Sequence, residues 1–223
     1  TKVFGETVCR LARQDKRLVA ITAAMPGGTG LLPFAAEFPD RFFDVGIAEQ
    51  NMVGMAAGLS TCGMIPVAAT FSVFMAGRAL DQVRNTIAYP KLNVKLVGTH
   101  AGVSVGYDGG SHEAVADLAI MRSLPNMTVL CPSDAIETAA VVRAAYAYHG
   151  PVYLRISRIG VKDYHTKDYS FTIGKGELVQ EGKDCTIVAA GIMVAEAIEA
   201  AEVLASEGIS VRIVNMASIK PID

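Results

Sequence analysis

Short apolar runs rich in β-branched residues alternate along this chain with longer stretches of helical periodicity, and that alternation restricts the fold more than any other feature. The runs are Leu18 to Ala23, Phe42 to Val45, Ile65 to Ala69, Val94 to Gly98, Thr128 to Cys131 and Val152 to Ile156. Helix patterns lie between them at Thr7 to Gln14, Ala48 to Thr61, Met75 to Ala88, Glu113 to Leu124 and Asp134 to His149, the last led by Pro132-Ser133 as its N-cap. Continuous apolar strands joined by helices imply an α/β fold, a mostly parallel sheet with helices on both faces. Sites in such folds form beyond the carboxyl ends of the strands, which here means residues 44–49, 69–74 and 98–112.

From Gly160 to Gly176 the rhythm lapses into a polar, aromatic-spotted stretch, Lys162-Asp-Tyr-His-Thr-Lys-Asp-Tyr169, which reads as an interdomain linker. The expected division is a first domain at 1–160, a linker at 161–176 and a second α/β unit at 177–223. That unit runs through Cys185 to Ala190, Met193 to Ser206 and Val211 to Met216, and the sequence stops at Ile219-Lys-Pro-Ile-Asp223 before it can close its own sheet. The second domain is therefore expected to be partial.

Hydrophobic residues make up 51% of the chain and charged residues only 19%. Mean hydropathy is +0.35, apolar enough to expect surface buried against other chains. A net charge of −2 without basic runs excludes a nucleic-acid or membrane-surface partner and leaves proteins and small molecules. Cys9, Cys62, Cys131 and Cys185 have no metal-ligand spacing and read as reduced, mostly buried thiols of a cytoplasmic protein. The charged start Thr1-Lys-Val-Phe-Gly-Glu6 is no signal peptide. The run Met52 to Ala69, interrupted by Ser60, Thr61, Gly63 and Pro66, fits a helix, a turn and a strand better than a membrane span. Gly54, Ala56, Ala57 and Gly58 would let another backbone approach closely, from the chain's own sheet or from a neighbouring subunit.

Glu49 is the only charged side chain from Val45 to Gly77. A carboxylate buried in apolar surroundings either finds a partner or has its pKa raised until it becomes a proton donor near neutrality. The alternative is an exposed helix-start acid favoured by the helix dipole. The segment Gly27-Gly28-Thr29-Gly30 lacks both the Walker lysine and the GxGxxG spacing, so it reads as a plain turn. Phe71 and Phe74 follow a strand at i, i+3 spacing and would come together at a strand-to-helix turn; a core pair is the simplest account of them. His100 and His112 bracket a glycine-rich loop that also holds Asp108.

These residues lie in motifs with a family likeness. Gly46-Ile-Ala-Glu-Gln-Asn51, Thr70-Phe-x-x-Phe74, Arg78-Ala-x-Asp81-Gln82-Val-Arg, Thr99-His-Ala-Gly-Val-Ser-Val-Gly-x-Asp-Gly-x-Ser-His112, Leu124-Pro-Asn-Met and Ile156-Ser-Arg158 resemble the pyrimidine-binding domain of transketolases. Val188-Ala-Ala-Gly191 to Asp223 resembles the start of the transketolase C-terminal domain. The likeness covers essentially the whole chain and is greatest to the C-terminal subunit of a split transketolase.

The resemblance implies thiamine diphosphate as cofactor, with Mg²⁺ held mainly by a diphosphate domain on a separate N-terminal subunit. It implies a hetero-oligomer, α2β2, or homodimerisation through this domain. The family's Gly-Asp-Gly and Asn-Asn diphosphate motif is not found in Tyr107-Asp108-Gly109, so the chain alone should not hold the cofactor tightly. By the same likeness, Glu49 hydrogen-bonds ring N1′ and favours the imino tautomer whose N4′ takes the C2 proton. Phe74 and Phe71 flank the pyrimidine, and Gly77, where many relatives carry an aromatic, leaves the pocket more open. His100 and His112 line the substrate channel and move protons. Asp108 recognises the acceptor's C2 hydroxyl, and Arg158 grips a substrate phosphate in a bidentate manner. Glu113 stands where relatives often have Gln.

The implied reaction transfers a two-carbon ketol unit from a ketose phosphate to an aldose phosphate, as in pentose phosphate carbohydrate metabolism. One alternative is a 1-deoxyxylulose-5-phosphate synthase, which Met25-Pro-Gly-Gly-Thr-Gly30 resembles locally, or a 2-oxo acid dehydrogenase β subunit. Thr99-His-Ala-Gly102 and Asn51 depart from the synthase pattern. The other alternative is a non-catalytic partner subunit that kept the fold.

Overall fold

A computed structural model describes all 223 residues. Six strands form a parallel array: β1 (Leu18–Thr22), β2 (Phe42–Asp44), β3 (Ile65–Phe71), β4 (Lys95–Thr99), β5 (Thr128–Leu130) and β6 (Val152–Arg155). β1, β3, β4, β5 and most of β6 are buried on both faces, which is why they read as unbroken apolar runs. Alternate residues feed two cores. Ile21, Ala68, Leu96 and Tyr153 face one, with Met52, Val53, Met75 and Ile87 packed over them. Leu18, Val67, Val97 and Leu154 face the other, under Phe4, Val8, Phe34 and Val141. The α/β expectation, with helices on both faces, holds.

The helices largely follow the sequence pattern, with instructive exceptions. α1 (Lys2–Gln14) starts earlier than expected and buries Phe4, Val8 and Ala12. Residues 26–30 are a helical turn, α2 (Pro26–Thr29), and not a plain turn, ended by Gly30 at φ +80. α3 (Leu32–Glu37) was not anticipated. α4 (Glu49–Thr61) is as expected. The expected helix from Met75 to Ala88 is instead two π-helical segments, 74–78 and 83–88, joined by the short α5 (Leu80–Gln82). Helix α6 (Asp117–Ser123) starts only after Glu113, which takes extended dihedrals. α7 (Ala135–Ala147) is capped by Asp134, whose carboxylate accepts from the Glu137 amide, while Glu137 reaches back to the Ser133 amide; Asp134, not Ser133, is the N-cap.

Beyond residue 160 the stretch expected to be a linker is packed against the first unit. His165 is buried, with Nδ1 on Asp134 and Nε2 on Glu177, both at 2.8 Å. Burial works against its charge, and the two carboxylates more than reverse this, raising the imidazole to about 9. β7 (Glu177–Gln180), β8 (Cys185–Ala189) and β9 (Val211–Asn215) form a second sheet covered by α8 (Met193–Ser206). β10 (Ser218–Lys220) then returns to the first sheet and pairs antiparallel with β5, giving the order β10-β5-β6-β4-β3-β1-β2. The four cysteines are free; Cys9 and Cys131 are buried, but Cys62 and Cys185 are exposed, so burial accounts for only half of them. No helix is long and apolar enough to cross a membrane.

Candidate active site

Parallel strands end on one edge, and the candidate residues gather there. The segment after β2 opens with Asp44, whose Oδ1 accepts from the amides of Ala24 and Gly46 and ties the loops after β1 and β2 together. Gly46 takes φ +70, a left-handed turn that costs glycine little, and α4 then begins at Glu49.

Glu49 is fully buried. The exposed helix-start reading is excluded, and so is an unpaired carboxylate. Arg78 places Nη1 2.9 Å from both Oε1 and Oε2. The same guanidinium lies over the Phe74 ring, 4.6 Å from its centroid. Phe74 and Arg78 stand one turn apart on the π-helical segment after β3, a geometry that recurs at functional sites. The motif Arg78-Ala-x-Asp81-Gln82 by itself implies no role for Arg78. Its signal was that it is the first charge after Glu49.

Phe71, at the end of β3, stacks on His100 with centroids 3.9 Å apart and planes 22° apart. Phe74 lies parallel to Phe71, 6.1 Å away, and takes the edge of His112 at 5.3 Å. The aromatic pair therefore packs with the two histidines and lies outside both core clusters. His100 adopts φ +54 and is buried; burial, then the nearby Arg158 charge, lower its pKa and favour the neutral ring. His112 is hydrogen-bonded through Nδ1 to Ser111 Oγ at 2.9 Å.

The turn at Gly27-Gly28-Thr29-Gly30 also reaches this edge. A Cβ on Gly28 would lie 2.9 Å from Phe71 Cε1 and 3.8 Å from His100 Cε1, so the lack of a side chain there makes room for the stack. The plain-turn reading of this segment gives position 28 no such part. Gly77 leaves open space: a Cβ there would meet nothing within 4 Å.

On the far side of the loop after β4, Arg158 Nη1 bonds Asp108 Oδ2 at 3.0 Å and the Val105 carbonyl. Asp108 and Arg158 are thus paired with each other. Glu137, His165 and Glu177 form a separate group whose donor atoms lie within 4.8 Å of one another. Its carboxylates are engaged by Tyr169, Asn215, Ser133 and His165, so it acts as a tie between the two sheets.

The fold has counterparts among known proteins. Residues 1–162 match the family model "Transketolase, pyrimidine binding domain", and residues 174–223 match "Transketolase, C-terminal domain". The chain belongs to the transketolase family. Among its relatives, a transketolase C-terminal section from Methanocaldococcus jannaschii is 50% identical over 224 residues, covering 100% of this chain and 71% of that protein. A 1-deoxy-D-xylulose-5-phosphate synthase from Heliobacterium modesticaldum is 44% identical over 229 residues, and the chain spans 34% of its length. Among solved structures, a split gene transketolase described as an inactive beta4 tetramer has a TM-score of 0.91 and 51% identity, covering 99% of this chain and 72% of that one. The mostly parallel sheet flanked by helices is thus the transketolase pyrimidine-domain fold in this sequence.

Proposed function

We propose that this chain is the C-terminal subunit of a split transketolase, moving a two-carbon ketol unit between sugar phosphates with thiamine diphosphate. The observation that carries the reading is the slot between Glu49 and Phe74. A fully buried carboxylate and an aromatic face flank one flat group, the Arg78 guanidinium. An aminopyrimidine is equally flat, and its N1′ can accept from the same carboxyl once that carboxyl is protonated, so the residues present fit the cofactor's pyrimidine half. Bound there, thiamine diphosphate would supply a carbanion at C2.

The chain's own residues divide the remaining work. Glu49 holds a proton at the pyrimidine's N1′. Phe74, with Phe71 behind it, sets the plane of the ring and keeps water from one face. His100 and His112 sit beside these rings, where the neutral form of His100 accepts or donates a proton at a sugar oxygen. Asp108 receives an acceptor hydroxyl, and Arg158 grips a terminal phosphate. The diphosphate end and Mg²⁺ belong to an N-terminal partner chain, a reading supported by the relative that is a C-terminal section and by the split-gene neighbour. An α2β2 assembly would place the two halves of each site together.

The test is reconstitution. Mixed with a diphosphate-domain subunit, thiamine diphosphate and Mg²⁺, the chain is expected to convert xylulose 5-phosphate and ribose 5-phosphate without pyruvate. Because synthase relatives match along the whole chain, a requirement for pyruvate is the specific result that would reassign the reaction. Absence of turnover with every such partner would leave a non-catalytic subunit.

A further inference from the structure

The contact between Arg78 and Glu49 does more than neutralise a buried acid. Its guanidinium is planar, presents N–H groups to a carboxylate and rests on an aromatic ring. A pyrimidine bound here would likewise lay a flat face on Phe74 and bring a ring nitrogen to the Glu49 carboxyl, except that its N1′ accepts from the protonated acid where the guanidinium donates to the carboxylate, and the two groups would claim the same place between Glu49 and Phe74. We infer that Arg78 is a displaceable plug: in the free chain it fills the pyrimidine's place, and the cofactor enters only as Arg78 leaves. This inference rests on the thiamine reading above.

The surroundings suit a side chain that must move. Arg78 is 48% exposed while its partner Glu49 is fully buried, so one end of the pair can return to water without opening the core. The preceding residue is Gly77, with open space where a side chain would stand. The backbone carrying both is a π-helical segment, wider and less regular than the α-helices around it. Glu49 cannot move in the same way, because its neighbours on α4, Met52 and Val53, are locked in the core. Without Arg78, the free chain would bury an uncompensated carboxylate. The arginine therefore preserves the shape of the half-site until the pyrimidine takes over both contacts.

The pyrimidine half of the cofactor, 4-amino-5-hydroxymethyl-2-methylpyrimidine, isolates this competition because it needs nothing from a diphosphate domain. Its affinity for the wild-type chain, Arg78→Ala, Arg78→Gln and Glu49→Gln can be measured by calorimetry and ligand-observed NMR. Removing a charge-assisted competitor is expected to tighten binding about tenfold or more in Arg78→Ala, with Arg78→Gln between it and wild type. In the wild-type chain, the Arg78 Nε–H resonance should shift as the pyrimidine saturates, a readout that needs no variant to fold. Equal or weaker binding in Arg78→Ala, with binding still lost in Glu49→Gln, would overturn the plug and leave the pyrimidine site standing. Binding absent from every variant, or indifferent to Glu49→Gln, would overturn the thiamine reading and the plug together.

Discussion

The imidazole of His100 lies flat on the ring of Phe71, 3.9 Å from centroid to centroid, and Gly28 is what lets the pair close. A methyl at position 28 would press on Phe71 Cε1, and the ring end, not the backbone, would yield. Gly28→Ala is therefore expected to cost about 1–2 kcal/mol of stability by denaturant unfolding. In the reconstituted enzyme it should raise the KM for the sugar donor several-fold by tilting His100, and an unchanged KM would show that the stack does not position substrate.

Glu49→Gln keeps the shape of the side chain and removes its charge. Arg78, half in water, can rehydrate, so unfolding free energy should fall by only about 1–2 kcal/mol. Turnover with the partner subunit should drop about 10²- to 10⁴-fold, the usual range for a lost proton-handling group. Near-normal kcat would refute the role given to Glu49.

Arg158 and Asp108 are partly exposed, so their pairing contributes little to stability, about 0–1 kcal/mol. Arg158→Ala should leave the melting temperature almost unchanged and raise the KM for a phosphorylated donor about ten- to hundredfold. An unphosphorylated ketose should show no such change. Equal losses with both sugars would remove Arg158 from phosphate recognition.

His165 links stability to pH. Free imidazole titrates near 6.5, and between Asp134 and Glu177 this one is raised to about 9. Below pH 6.5 it is charged in folded and unfolded chains alike, and its stabilising contribution is complete. Between 6.5 and 9 the unfolded chain loses the proton first, so unfolding free energy falls, and above 9 the contribution is gone. The decline should amount to about 3 kcal/mol and be absent from His165→Gln. Burial lowers Lys95 to about 7, which gives an opposite trend between 7 and 10.5, so the difference between wild type and variant is the informative curve. Parallel curves would exclude His165.

The strand ends, and with them the neighbourhood of the site, were legible in the sequence because parallel strands buried on both faces must be apolar throughout. Glu49, Phe71, Phe74, His100 and His112 do share one edge. The Arg78 contact was not legible, since a π-helical segment has no distinct hydrophobic period and its registration over Phe74 emerges only in three dimensions. Position 28 was hidden for a different reason: a glycine's role is defined by what packs against it. The polar stretch around His165 read as a linker because buried carboxylates and tyrosines look solvent-facing until their partners, which come from both sheets, are known. β10 was folded into the second unit because a short strand carries no mark of which sheet it will join.

That last strand has a consequence for how the molecule meets others. β5 would otherwise present a row of unpaired amides and carbonyls along the rim of an apolar sheet, a template on which another chain could add by backbone pairing. Ser218–Lys220 covers it, and the Lys220 ammonium is anchored on the carbonyls of Arg122 and Leu124. A fragment ending near residue 160 would retain every residue of the candidate site and yet carry an open adhesive rim. The final segment thus closes one rim of the sheet that carries the candidate site.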